Sequence, residues 1–158
     1  MIFVCLGTQD KSFKRLLEEI ERLIDNKTIT EEVIVQSGTT KYSSNKMKVM
    51  DLISSDDFNN YLKKATYIIT HGGVGTILTA LSLKKKVIAV PRLKEYKEHV
   101  NDHQKEIIST FNEEGYIIGL SSVSKLEEGI KKLKTFKPKD YIPNKDNFTK
   151  FIERLIEE

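Results

Sequence analysis

Apolar positions along this chain keep two rhythms that take turns. Ile2 to Leu6, Val33 to Val35, Thr66 to Thr70, Val87 to Val90 and Tyr116 to Gly119 are short, nearly continuous β-branched and aliphatic runs, as in strands buried on both faces. Met47 to Ile53 alternates loosely and reads as one more short strand. Between these runs apolar residues recur every three or four places. Phe13, Leu16, Leu17, Ile20, Leu23 and Ile24 trace one face of a helix from an N-cap at Ser12 to about Asp25. Phe58, Tyr61 and Leu62 face inward from a second helix, capped by Ser54 or Ser55 and ending near Lys64. Ile77, Leu78, Ala80 and Leu81 mark a third, from about Gly75 to Leu83. Ile107, Ile108 and Phe111 mark a fourth, from Val100 to about Glu114, which Gly115 ends in the C′ position. Ser124 caps a fifth through about Leu133.

Strands and helices that alternate in this way predict the α/β class, an open parallel sheet with helices on both faces. Residues 1–134 form the expected domain. Residues 135–158 read as a linker holding Pro138 and Pro143, then a last amphipathic helix from Phe148 to Ile156. At 158 residues the chain builds one well-buried core and not two. The net charge of +3 is mild, so no nucleic-acid partner is expected. Lys84 to Lys86 and the lysines between 131 and 139 read as a solvated face, with anionic lipid headgroups as the alternative. The single cysteine, Cys5, lies inside the first strand, which excludes a disulfide framework or cysteine metal site and fits a reducing compartment. No run approaches the ~20 apolar residues of a membrane span, and the chain enters its first strand without a leader, so a soluble protein is expected.

In such sheets ligands sit beyond the carboxyl ends of the strands. Gly7-Thr8-Gln9, Ser37-Gly38, His71-Gly72-Gly73 and the polar loop from Arg92 to His99 all fall there, so four loops converge on one crevice. The turn His71-Gly72-Gly73-Val74-Gly75-Thr76 carries the clearest chemistry. Glycines let a ligand approach the main chain, and their N–H groups join those of the first helical turn at the positive end of a helix dipole. Phosphate is the matching guest; the alternative is a tight turn whose glycines serve packing only. The dinucleotide fingerprint fails, because Leu78 stands where its third glycine belongs and the turn follows the fourth strand. Gly7 to Ser12 lacks the second glycine of a Walker loop. There is no Gly-x-Ser-x-Gly elbow, and a nucleophile at Cys5 would be buried. No Asp-x-Asp pair is present to hold a metal, which leaves a diphosphate bound without a cation. His99 and His103 are four apart, as zinc ligands on a helix can be, but only Asp102 stands near as a third, so no metal site is expected. Asp102, His103 and Gln104 suit paired hydrogen bonds to a hydroxylated ligand, with an ordinary solvated helix start as the alternative.

Three segments, Thr70-His71-Gly72-Gly73-Val74-Gly75-Thr76, Lys86 to Arg92 and Glu98-His99-Val100-Asn101-Asp102-His103-Gln104, together resemble the carboxy-terminal, donor-binding domain of family 28 glycosyltransferases. The likeness runs from about Met1 to Leu120, Gly7-Thr8 and Phe13 included, and is strongest to the small soluble subunits of bacterial capsule and exopolysaccharide transferases. It implies one Rossmann-like half of a GT-B fold, without cofactor, completed by a membrane-associated acceptor-binding subunit that presents a lipid-linked sugar. That implies a cytoplasmic chain recruited to the inner face of the membrane. The nucleotide diphosphate of a UDP-sugar is then expected at Gly72, Gly73, Val74 and Gly75 with Thr76 in reach, uracil near the ends of strands two to four, and the donor sugar near His103 and Gln104. One position departs from the pattern: Thr79 stands where many members carry a ribose-binding glutamate. The implied activity is inverting transfer of galactose or N-acetylglucosamine to a polyprenyl-diphosphate-linked glycan, with His71 contacting phosphate or acting as base. The rival readings are a non-catalytic subunit that enhances or stabilises a separate transferase, and a free nucleotide-binding or epimerase-like domain.

Overall fold

The computed structural model describes residues 1–7, 11–97, 103–142 and 153, with the side chain of His103 outside that set. Six strands, β1 (Ile2–Cys5), β2 (Val33–Gln36), β3 (Lys48–Met50), β4 (Tyr67–Thr70), β5 (Lys86–Ala89) and β6 (Ile118–Gly119), form one wholly parallel sheet in the order β3-β2-β1-β4-β5-β6. Five helices connect them: α1 (Lys14–Asp25), α2 (Ser55–Lys64), α3 (Val74–Ser82), α4 (His103–Glu113) and α5 (Leu126–Leu133).

Strand alternation sorts the core into two layers. Ile2, Val4 and Leu6 face α1 and α5 with Leu16, Leu17, Ile20, Leu126 and Ile130, whereas Phe3 and Cys5 face α2, α3 and α4 with Leu62, Ile77, Ile108 and Phe111. Each such side chain, fully removed from water, contributes about 1.5–3 kcal/mol against the entropy of ordering it. The expected α/β sheet with helices on both faces is what forms.

Helix ends follow local chemistry. Ser54 caps α2, its Oγ accepting from the Asp57 N–H at 3.1 Å. Gly115, at φ +85°, ends α4 in a Schellman pattern: its N–H donates to Asn112 O and that of Tyr116 to Phe111 O, while the Tyr116 and Phe111 rings meet edge-on. Two expected caps are corrected. The N-cap of α1 is Phe13, not Ser12, and the orphan N–H of Phe13 donates instead to Thr40 Oγ1 at 3.0 Å, from 27 residues away. Ser124 lies inside a 3₁₀ turn (Val123–Lys125) ahead of α5, where its hydroxyl meets that of Ser122 at 2.8 Å. Within the polar loop after β5, Lys94–Tyr96 form another 3₁₀ turn. β3 keeps three of the seven residues expected of it, because only those pair with β2. The expected last helix, Phe148 to Ile156, lies outside the described residues apart from Glu153, which is helical. No helix among the described residues is long and apolar enough to cross a membrane.

Candidate functional site

The strand order reverses between β1 and β4. Crossovers from β1 build outward on one side and those from β4 on the other, so the loops after these strands part at the carboxyl ends. A crevice of about 550 Å³ opens there. Gly7, after β1, and His71, Gly73, Gly75, Thr76 and Thr79, at the β4–α3 junction, form its floor and one wall.

The glycines of that junction are there for different reasons. Gly72 has φ +97°, and a Cβ on it would lie 2.6 Å from Ile108 Cδ1, so the backbone path and the packing of α4 both demand glycine. A Cβ on Gly73 would lie 3.0 Å from His71 Nε2, and on Gly7, at φ +75°, 2.5 Å from the same atom. These two leave room for the imidazole. A Cβ on Gly75 would meet nothing within 4 Å, although this residue is exposed in the first turn of a helix, where alanine is ordinarily preferred. Packing therefore accounts for the other glycines but not for Gly75, and what its missing side chain leaves open is the crevice.

The first turn of α3 supplies the polarity. Gly73 caps it without a side-chain hydrogen bond, and the Ile77 N–H donates to Gly73 O at 3.1 Å. Ahead of Ile77 the amides of Val74, Gly75 and Thr76 have no preceding turn to donate to, and they stand at the positive end of the dipole. No side chain of the described lining bears a formal charge other than what His71 can acquire. Such a wall attracts an anion through oriented N–H groups alone. Thr79 lines the same wall, but its hydroxyl donates back to Gly75 O at 2.9 Å.

His71 is 5% exposed and lies with Nδ1 3.1 Å from Gln104 Nε2, Gln104 being equally buried at the start of α4. The structure thus brings together Gly7, His71, Gly72, Gly73, Val74, Gly75, Thr76, Thr79 and Gln104. Arg92 does not join them. It is 1% exposed, its guanidinium donates to Lys11 O and Leu6 O at 2.6 Å each, and it stacks over Phe13 at 5.1 Å. Arg92, expected at the nucleotide-sugar, forms a buried clamp between the end of β5 and the loop after β1. Thr8, His99 and Asp102, and the side chain of His103, lie outside the described residues. Among the described residues no group of three His, Cys, Asp or Glu side chains can hold a metal ion. Cys5 is sealed in the core, where burial pushes its thiol pKa far above the ordinary value and keeps it protonated.

The opposite wall contains residues that pattern reading missed. Gln36, the last residue of β2, donates from Nε2 to Gly7 O and Asp51 O, both at 3.1 Å, and so ties the loops after β1 and β3 together. Leu52 and Ile53, just past β3, and Ser55, Phe58 and Asn59 on α2 complete the wall. Leu52 is 68% exposed. An apolar ledge with two side-chain amides, facing a cluster of N–H groups, suits a ligand with a flat ring at one end and negative charge at the other. The signal available in the sequence was the strand-end rule applied to β2 and β3, which points at Gln36, Leu52 and Ile53.

Over residues 1–158 the sequence matches the family model described as glycosyltransferase family 28 C-terminal domain. It is 27% identical over 147 residues to UDP-N-acetylglucosamine transferase subunit ALG13 of Candida glabrata, covering 88% of this chain and 64% of that protein. It is 30% identical over 93 residues to zeaxanthin glucosyltransferase of Pseudescherichia vulneris, covering 57% of this chain and 22% of that one. The chain thus spans less than two thirds of either relative. The solution structure of ALG13 superposes with a TM-score of 0.62 at 20% identity, over 99% of this chain and 94% of that one, a likeness of fold.

Proposed function

Since this chain belongs to the glycosyltransferase family 28 C-terminal domain family, we propose that it is the UDP-sugar-binding subunit of a two-chain glycosyltransferase, one that holds the donor and contributes no proton-transfer residue of its own. The observation that carries this reading is the uncapped first turn of α3, opening onto the crevice at a glycine that packing does not require. The diphosphate lies against the amides of Val74, Gly75 and Thr76, where developing charge on the leaving group is stabilised without reorganisation. Uracil lies on the ledge of Leu52, Ile53 and Phe58. The acceptor comes from a partner, a membrane-associated subunit that presents a lipid-linked sugar and recruits this chain to the inner face of the membrane. The likeness to a protein named as a UDP-N-acetylglucosamine transferase subunit favours the form of this reading in which the chain enhances a partner that performs the chemistry.

The second reading keeps the catalytic step on this chain, as transfer of galactose or N-acetylglucosamine with His71 as base, and rests on the place of His71 in the crevice wall. Calorimetry with UDP, UDP-galactose and UDP-N-acetylglucosamine, each with and without EDTA, tests the shared premise: binding is expected and is indifferent to the chelator. Transfer assays on the chain with its partner separate the two readings. On the first, His71→Gln raises the donor KM and leaves kcat within a few-fold. On the second, kcat collapses while KM holds. Absence of any UDP-sugar binding by the chain or by the complex removes both.

A further inference from the structure

Gln104 stands at the second position of α4, and its buried amide reaches across to the β4–α3 turn, Nε2 lying 3.1 Å from His71 Nδ1. An amide nitrogen only donates, so Nδ1 accepts and a neutral ring carries its proton on Nε2. That edge of the ring lies between Gly7 and Gly73, at the crevice wall. We propose that Gln104 is a positioning residue that fixes His71 as the Nε2–H tautomer and so makes it one more hydrogen-bond donor in a lining of donors, not a base. Turning the amide over would reverse this: Oε1 would accept from Nδ1–H, and Nε2 would face the crevice with a lone pair. The orientation of one side-chain amide therefore selects between phosphate contact and proton abstraction at His71. In the orientation found, the partner atom is Nε2, while Oε1 is buried with no hydrogen bond among the described residues.

What the Nε2–H meets rests on the diphosphate reading; the tautomer itself does not. Long-range proton–nitrogen NMR on the ligand-free, 15N-histidine-labelled chain reads the tautomer directly, and His71→Gln identifies which of the three histidine signals belongs to it. Wild type is expected to show Nε2 protonated and Nδ1 bare. Gln104→Glu, whose carboxylate can only accept, moves the proton to Nδ1. Gln104→Leu leaves a mixture of tautomers and weakens UDP binding about two- to threefold, the loss expected when only part of the population is competent. A wild-type spectrum with Nδ1 protonated overturns the proposal, as does a Gln104→Leu spectrum identical to wild type. If the tautomer is as stated but UDP does not bind, the diphosphate reading fails and the positioning role stands.

Discussion

Replacing Gly75 by alanine sets the demands of the fold against those of the ligand. A methyl group there meets nothing within 4 Å and occupies a helical position without a positive φ, so the folded state accepts it without strain. Alanine also restricts the unfolded chain more than glycine does, and in helix interiors the exchange stabilises by about 0.5–1 kcal/mol. In the first turn the low end applies, about 0.5 kcal/mol, or a Tm rise of about 1–2 °C for a domain of this size. The same methyl projects into the crevice, toward the place proposed above for the diphosphate against the first-turn amides. Loss of one hydrogen bond to a charged group, about 1.5–3 kcal/mol, weakens UDP binding by about 10- to 100-fold. Scanning fluorimetry and calorimetry on the same sample are expected to give a protein that melts later and binds more weakly. Lower stability would mean that the glycine serves the turn, and unchanged affinity would mean that the ligand does not use it; either result breaks the reasoning.

Arg92→Met removes the donors to the buried Leu6 O and the part-buried Lys11 O and is expected to cost about 1–3 kcal/mol in urea denaturation, with UDP affinity of the folded protein close to wild type; a large affinity loss at unchanged stability would make it a ligand contact. Glu31 accepts from the amino terminus at 2.8 Å and from the Thr66 hydroxyl, and these hold its pKa below the ordinary carboxylate value. A depressed carboxylate stabilises the fold above its unfolded pKa, and that contribution is lost as pH falls through the lowered folded value. With the Glu31 side chain 38% exposed, solvent screening limits the effect to about 0.5 kcal/mol, so the stability gap between wild type and Glu31→Gln should close only in that acid range. Cys5 should resist iodoacetamide in native buffer and react on addition of urea at the rate of unfolding; rapid native labelling would contradict its burial.

The strands were legible because a sheet covered on both faces needs uninterrupted apolar runs, and Ile2 to Leu6 or Tyr67 to Thr70 have no other use. The glycine turn was legible for a similar reason, since few local structures place three glycines so close. What stayed hidden was decided by residues far apart in the chain. Thr40 caps α1 from 27 positions away, which no inspection of Ser12 and Phe13 reveals. Arg92 follows a strand end, as a ligand contact would, and only the carbonyls of Leu6 and Lys11 above it show why it is buried. Gln36 and Leu52 look like any strand terminus and any loop leucine until the strand order sets them beside Gly7.

The grip of Arg92 is on carbonyl oxygens, which every amino acid possesses. A substitution at Lys11, an exposed residue held by its main-chain oxygen, can therefore alter what the surface displays there without loosening its mounting. Sequence can drift at that position, because the anchorage does not depend on the side chain being exchanged.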